Sequence, residues 1–217
     1  MAVTKHIFAS REEWLKGRKN HIGGSDASAC VGMNPYKDNV QLWEEKMGLV
    51  IPEDISDKDY VRYGTEAEKH LRALFAMDFP EYQVFYDEDN MFLNSKYPWM
   101  HASLDGELVD EQGRRGILEI KTTNILQSMQ LEKWKGKIPD NYYCQVLHYL
   151  AVTEYDFAVL KAQLKSEWHG ELRITVKHYF IERKEVEEDI RYLMEAERRF
   201  WACVVEGRRP NFALPVI

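Results

Sequence analysis

Residues 116–123 read GILEIKTT, an apolar strand pattern interrupted by an acid and an amine, Glu119 and Lys121. Side chains two apart on a strand share a face, so these two project to one side. In the preceding stretch, WMHASLDGELVD, His101, Ser103 and Asp105 share a face in the same way. If the two strands pair, Asp105 and Glu119 converge near Lys121. Three carboxylates and an amine would be expensive to bury together once Glu68 joins them from a helix. A divalent cation resolves the conflict: Mg²⁺ takes a few carboxylates plus waters and phosphate oxygens. Lysine would then orient or deprotonate a bound water, and the ion would stabilise charge developing on a phosphodiester. Taken alone, the D-x₁₃-E-x-K spacing also describes a solvated acid–lysine pair on an exposed strand.

The elements that must position these residues are legible in outline. Ser10-Arg-Glu-Glu13 is a capping-box signature opening a short helix to about Arg18. In IGGSDASACVGMNPY, Ser25 is placed to N-cap a helix that Gly32 and the Asn34-Pro35 turn would end. Asp26 reads as a second capping acid or a solvated side chain. NVQLWEEKMG is a helix stopped by Gly48. From Lys58 to Met77, Val61, Gly64, Leu71, Leu74 and Phe75 form one helical stripe. Glu68 lies inside that stripe, while Glu66 and Lys69 lie opposite, so Glu68 faces inward, where a carboxylate needs a partner. Strands are expected at QVFYDED, MFLN, WMHASLDGELVD and GILEIKTT, with a turn at Glu111–Gly116. Helices follow over about Asn124–Lys135 and Tyr142–Thr153, then strands FAVLKAQL and LRITVKHYFI. A long helix over about Lys184–Glu206 and the tail GRRPNFALPVI complete the chain. The order implies an α/β (α+β) fold with a central mixed sheet flanked by helices. A single domain spanning 1–217 is expected, with a helical part to about residue 80 and the sheet core over about 81–180.

Composition narrows the class. With 217 residues, 45% hydrophobic and 30% charged, the chain can bury a proper core. No apolar run approaches the roughly 18 residues of a membrane span, and MAVTKHIFAS lacks the apolar stretch of a signal peptide. The three cysteines, Cys30, Cys144 and Cys203, form no CxxC pair, so buried thiols in a reducing cytoplasm are expected rather than disulfides or zinc ligands. A net charge of −7 argues against coating nucleic acid with the whole surface. Any contact with DNA must therefore use a local basic channel. Lys133-Trp-Lys135-Gly-Lys137 alternates bases with an aromatic, as nucleic-acid loops do, and equally describes a solvated helix end with Trp134 packed inward. Arg114 and Arg115, at a hairpin turn, read as solvated charge; Arg208 and Arg209 are possible backbone contacts.

Asp105 followed by Glu119-Ile-Lys121 resembles the PD-(D/E)xK nuclease signature, with SLD where that signature has proline-aspartate. RKNHIGGSDASACVGMNPYKDNVQLWEEKMG resembles the opening motif of YqaJ-type phage recombinase exonucleases, relatives of lambda exonuclease. YGTEAEKHLRALF is similar to the family's G-x-x-x-E helix and places the match on Glu68. YYCQVLHYLAVT resembles its glutamine helix, and Gln145 to Tyr149 also has the Q-x-x-x-Y spacing of RecB-like nucleases. The four motifs run in order from about Arg18 to Thr153.

The resemblance implies a restriction-endonuclease-like core in which Asp105 and Glu119 bind Mg²⁺, or Mn²⁺ as a substitute. Glu68 would stand nearby, with the Ile120 carbonyl as a further oxygen. Lys121 would assist the attacking water, and Gln145 would sit by the scissile phosphate or the DNA backbone. Arg18, Ser25 and Ser103 would hold a 5′-phosphate, with Tyr149, Lys133, Lys135 and Lys137 as weaker candidates for DNA contact. An arginine fork with two hydroxyls is a chemically sensible phosphate socket. His101 would be a hydrogen-bond partner to the site or a structural histidine. The implied activity is a 5′-to-3′ exonuclease on linear double-stranded DNA, leaving 3′ overhangs for phage-type recombination by annealing. The implied partners are double-stranded DNA ends, a single-strand annealing protein and two further copies in a trimeric ring, in the cytoplasm of a bacterial host. A structure-specific or RecB-like repair endonuclease, or a silent DNA-end-binding module, are the alternatives. An iron–sulfur relative lacks its four cysteine ligands here.

Overall fold

The computed structural model describes residues 2–214. It opens with β1 (Val3–Ile7), which sequence reading misses because VTKHI has too few apolar positions to alternate. Then come α1 (Arg11–Lys19), α2 (Gly24–Cys30), α3 (Asn39–Lys46) and α4 (Asp59–Asp78). Four strands follow: β2 (Gln83–Phe85), β3 (Asn90–Asn94), β4 (His101–Ala102) and β5 (Gly106–Val109). Next are β6 (Arg115–Ile125), α5 (Ser128–Glu132), α6 (Asp140–Thr153), β7 (Phe157–Trp168), β8 (Glu171–Glu182) and α7 (Glu187–Val205).

The main sheet has the order β2-β5-β6-β7-β8 and is mixed: β6 and β7 run parallel, and the other pairs are antiparallel. A parallel pair needs a crossover, and α5 and α6 supply it. A second sheet, β1-β3-β4, stands apart. Two apolar layers cover the main sheet. Ile117, Ala158, Leu160 and Ala162 pack toward α6, with Val146 and Leu150 in the same cluster. Leu118, Ile120 and Val159 pack on Leu71 and Phe75 of α4. Alternation along β6 thus sends Ile117, Glu119 and Lys121 toward α6, and Leu118, Ile120 and Thr122 toward α4.

The expected strand WMHASLDGELVD is in fact two strands in two sheets. The Asn90 side chain accepts the Leu104 N–H at 2.9 Å and donates to the Leu104 carbonyl at 3.0 Å, which pulls Ser103–Asp105 out of the ladder. His101 consequently does not share a face with Ser103 and Asp105. Other expectations shift less. The α2 cap is Gly23, whose N–H donates to Asp26 at 3.2 Å, so Asp26 is the capping acid and Ser25 lies within the first turn. Leu74 is 48% exposed, because the packed stripe of α4 narrows to Leu71 and Phe75. The helix expected from Asn124 starts at Ser128, since β6 keeps its pairing with β7 through Ile125. The tail is tied down by Asn39, which donates to the Asn211 carbonyl at 2.7 Å and accepts the Ala213 N–H at 2.9 Å; positions 215–217 lie outside the described residues. Among the described residues, no helix is long and apolar enough to cross a membrane.

Cys30, Cys144 and Cys203 are free and buried, as expected. Burial raises the Cys30 thiol well above its ordinary value and takes Cys144 up to about 12, aided by the Glu197 carboxylate. Because all three are buried, a thiol reagent at about pH 8 should label none of them in the folded protein and all three after denaturation. Counting labels by mass spectrometry checks this, and rapid native labelling would contradict the packing described.

Candidate active site

β5 begins only at Gly106, opposite Leu118, while β6 continues for seven residues along β7. From Glu119 onward, one edge of β6 is therefore open. The Asp105 side chain covers the first gap: its Oδ2 accepts the Ile120 N–H at 2.8 Å. A cavity of about 400 Å³ lies along this edge, where groups from both faces of the sheet meet. Asp105, Glu119, Ile120, Lys121, Glu68, Gln145, Tyr149, Arg18, Ser25 and Ser103 all line it. Lys133, Lys135 and Lys137 do not; they are exposed beside the buried Trp134, as the solvated-helix-end reading describes, and Lys135 faces Glu132 at 3.7 Å.

Glu119 is 1% exposed, and only its Oε1 is engaged: Lys121 Nζ lies at 2.5 Å and Gln145 Nε2 at 2.7 Å. Its Oε2 is buried without a partner, a costly state for a carboxylate oxygen. Gln145 Nε2 also donates to the Tyr149 hydroxyl at 3.0 Å. The close approach of α2 to α6 at this point requires Gly24, where a Cβ would lie 2.4 Å from the Tyr149 ring. Glu68 is turned toward Arg72 at 3.1 Å, and the same arginine donates to the Asp105 carbonyl while lying over the Tyr86 ring at 3.5 Å.

The electrostatics are those of crowded acids. Burial and then the Glu119 charge raise Asp105 to about 7; burial and then Asp105 raise Glu68 to about 7. Burial also pushes Glu119 up, against the pull of Lys121. Burial opposes the Lys121 charge, but Glu119 and Asp105 outweigh it and lift its pKa above the ordinary lysine value.

Among the described residues, no three His, Cys, Asp or Glu side chains form a closed ion cage, and Glu68 is engaged by Arg72. The residues present nevertheless fit an oxygen-preferring divalent ion that keeps several waters. Glu119, with its unpartnered Oε2, and Asp105 both line the cavity and supply hard oxygen donors, and crowded acids gain from a cation.

At the other end of the cavity, Arg18 donates to Ser25 Oγ at 3.4 Å and lies over the Trp14 ring at 4.3 Å. Trp14 Nε1 donates to the Asn90 carbonyl at 2.9 Å and to Ser103 Oγ at 3.2 Å. Sequence reading missed Arg11, Trp14, Arg72 and Asn90. Arg72 had a local signal, its i,i+4 spacing from Glu68. Asn90 had none, since its partner Leu104 is distant in sequence.

His101 is structural. It is 2% exposed, stands against His21 with centroids 6.0 Å apart, and burial lowers its pKa. Its carbonyl accepts from His148 Nε2 at 2.8 Å, while His148 Nδ1 lies 2.8 Å from the buried Glu197. Asp26 pairs with Lys46 at 2.8 Å. Although burial opposes its charge, Lys46 and Lys37 hold Asp26 down at about 2. A depressed acid stabilises above its unfolded pKa and loses that contribution as pH falls through the folded one. Asp26→Asn should therefore cost about 2 kcal/mol at pH 7 and little below about pH 2, as read by urea melts at both pH values.

An open-edged mixed sheet, with an acid at the end of one strand and an acid–x–lysine on the next, defines a PD-(D/E)xK nuclease fold. Solved structures share it. The alkaline exonuclease LHK-Exo from Laribacter hongkongensis superposes with a TM-score of 0.61 at 19% identity, covering 90% of this chain and 95% of that one. A phage-related exonuclease from Haemophilus somnus 129PT gives 0.50 at 12% identity, covering 86% and 96%. The chain belongs to the YqaJ-like viral recombinase domain family, whose model matches residues 13–156. It is 32% identical over 214 residues to the uncharacterized protein YqaJ of Bacillus subtilis (strain 168), and spans 60% of that relative's length.

Proposed function

We propose that this chain is a divalent-cation-dependent exonuclease that degrades one strand of linear double-stranded DNA from the 5′ end. The 3′ overhangs it leaves would be coated by a strand-annealing protein in phage-type recombination. The observation that carries this reading is the single cavity joining the Asp105–Glu119–Lys121 set to Arg18, Ser25 and Ser103.

In this reading Asp105 and Glu119 hold Mg²⁺, or Mn²⁺ in its place, with Glu68 beside them and the Ile120 carbonyl as a further oxygen. The bound ion supplies charge stabilisation and a more acidic water. Lys121, as an ammonium, orients the attacking water and offsets charge on the scissile phosphate. Gln145 fixes the Glu119 carboxylate through Oε1 and leaves Oε2 free. Arg18, Ser25 and Ser103 hold the terminal phosphate, so that each cut presents a new end to the same socket. The chain works as one nuclease unit, three copies closing a ring around DNA in the bacterial cytoplasm. Only the ring's lumen then needs to be positive, which reconciles DNA binding with a net charge of −7.

The test compares linear duplex with a 5′-phosphate, the same duplex with a 5′-hydroxyl, and closed circular DNA, each with and without Mg²⁺. Degradation is expected of linear DNA alone, dependent on Mg²⁺ and faster with the phosphate. Cutting of the closed circle would overturn the exonuclease reading.

A further inference from the structure

We propose that Arg11 is a second guanidinium of the terminal-phosphate socket and sets the enzyme's preference for a dianionic 5′ end. This rests on the phosphate reading above. Arg11, Trp14 and Arg18 fall at i, i+3 and i+7 on α1, which puts them on one helix face with the indole between the two arginines in sequence. The Arg11 guanidinium carbon lies 3.9 Å from the Trp14 ring centroid, and Arg18 lies at 4.3 Å. All three line the cavity with Ser25 and Ser103.

The hydrogen-bond directions at this end select the ligand. An indole N–H and a guanidinium can only donate. Ser103 Oγ therefore accepts from Trp14, and Ser25 Oγ accepts from Arg18. The proton of each hydroxyl is left to donate, so the socket offers donors and wants a group that only accepts. A terminal phosphate monoester is such a group, and it carries close to two negative charges at neutral pH. An internal phosphodiester carries one charge, and a hydroxyl end carries none. Arg18 alone balances the diester, whereas Arg18 and Arg11 together balance the monoester. Arg11 is free to serve: its side chain is 66% exposed, and its partner Asp89 is held loosely at 3.5 Å. Asp89 also lines the cavity, so its carboxylate tempers the attraction.

Binding of duplexes with a 5′-phosphate or a 5′-hydroxyl end, labelled at the 3′ end, can be followed by fluorescence anisotropy in EDTA, where nothing is cut. The ratio of the two affinities is the readout. Arg11→Gln should lower that ratio about tenfold, the loss of one charge-assisted contact. Arg11→Lys, which keeps the charge, should retain most of it. Asp89→Asn should raise the ratio; asparagine tolerates the left-handed backbone found there (φ 49°). If Arg11→Gln leaves the ratio within twofold of wild type while Arg18→Gln collapses it, Arg11 serves only Asp89 and the proposal fails with the phosphate reading intact. If wild type itself shows no preference, both fall.

Discussion

Glu119→Gln should reduce release of nucleotides from linear duplex roughly a thousandfold, with binding to DNA ends retained. The change is nearly isosteric, so the packing around this residue, 1% exposed, is kept. Chemically it is severe. Lys121 and Gln145 both approach Oε1 as donors, at 2.5 and 2.7 Å. An amide there must either present its N–H₂ to an ammonium or turn its oxygen to them and offer N–H₂ to the site. Either way one anionic donor is gone from the proposed ion position, and Lys121 loses the charge that fixes it. Single electrostatic contributors of this kind are worth about a hundredfold to a thousandfold, and loss of the bound ion adds to that. Asp105→Asn should behave alike. Single-turnover release of acid-soluble label, run beside end binding by anisotropy, separates chemistry from recognition. Activity of Glu119→Gln within about fivefold of wild type would contradict the site assignment.

The second large effect is on stability. Glu197→Ala should lower the melting temperature by about 10 °C, from a loss of roughly 3–5 kcal/mol on breaking a buried pair. His148 and Glu197 are both fully buried and 2.8 Å apart, and the second histidine nitrogen donates to the His101 carbonyl at 2.8 Å. An oxygen faces each ring nitrogen, an arrangement that favours the imidazolium form. Burial opposes that charge, but Glu197 outweighs it, and the His148 pKa is raised. A raised histidine stabilises fully below its unfolded pKa of about 6.5 and loses that contribution as pH rises through the folded pKa. The gap in melting temperature between wild type and Glu197→Ala should therefore narrow toward alkaline pH. His148→Leu combined with Glu197→Leu should recover much of the loss. A melting temperature for Glu197→Ala within 2 °C of wild type at pH 6 would show that the pair does not clamp α6 to α7. The clamp bears on the site because Gln145 sits one helical turn before His148.

The sequence carried what periodicity and local caps can carry. Glu119 and Lys121 share a face by period two, Glu68 lies inside an apolar helical stripe, and β5 pairs with β6. A capping signal placed α1, a glycine stop placed α3 and periodicity placed α4, to within a residue or two at most ends. What was not legible is long-range. The break between β4 and β5 depends on Asn90, which sits on another strand and binds both main-chain groups of Leu104. The convergence of groups from both sheet faces follows from β5 stopping short of β6, a register fact with no local signature. Arg72 and Trp14 act through partners distant in sequence, the Asp105 carbonyl and Ser103. His148 did have a local sign, since it and Gln145 are the polar residues among the buried positions Cys144–Val152 of α6, and a buried histidine in such company needs partners.

Direct Mn²⁺ binding, followed by the loss of the free-ion electron paramagnetic resonance signal without DNA, tests the central claim. Wild type should take up the ion, while Asp105→Asn and Glu119→Gln, both still folded by circular dichroism, should bind it at least about tenfold more weakly. Equal binding by wild type and both variants would mean that Asp105 and Glu119 do not hold the ion.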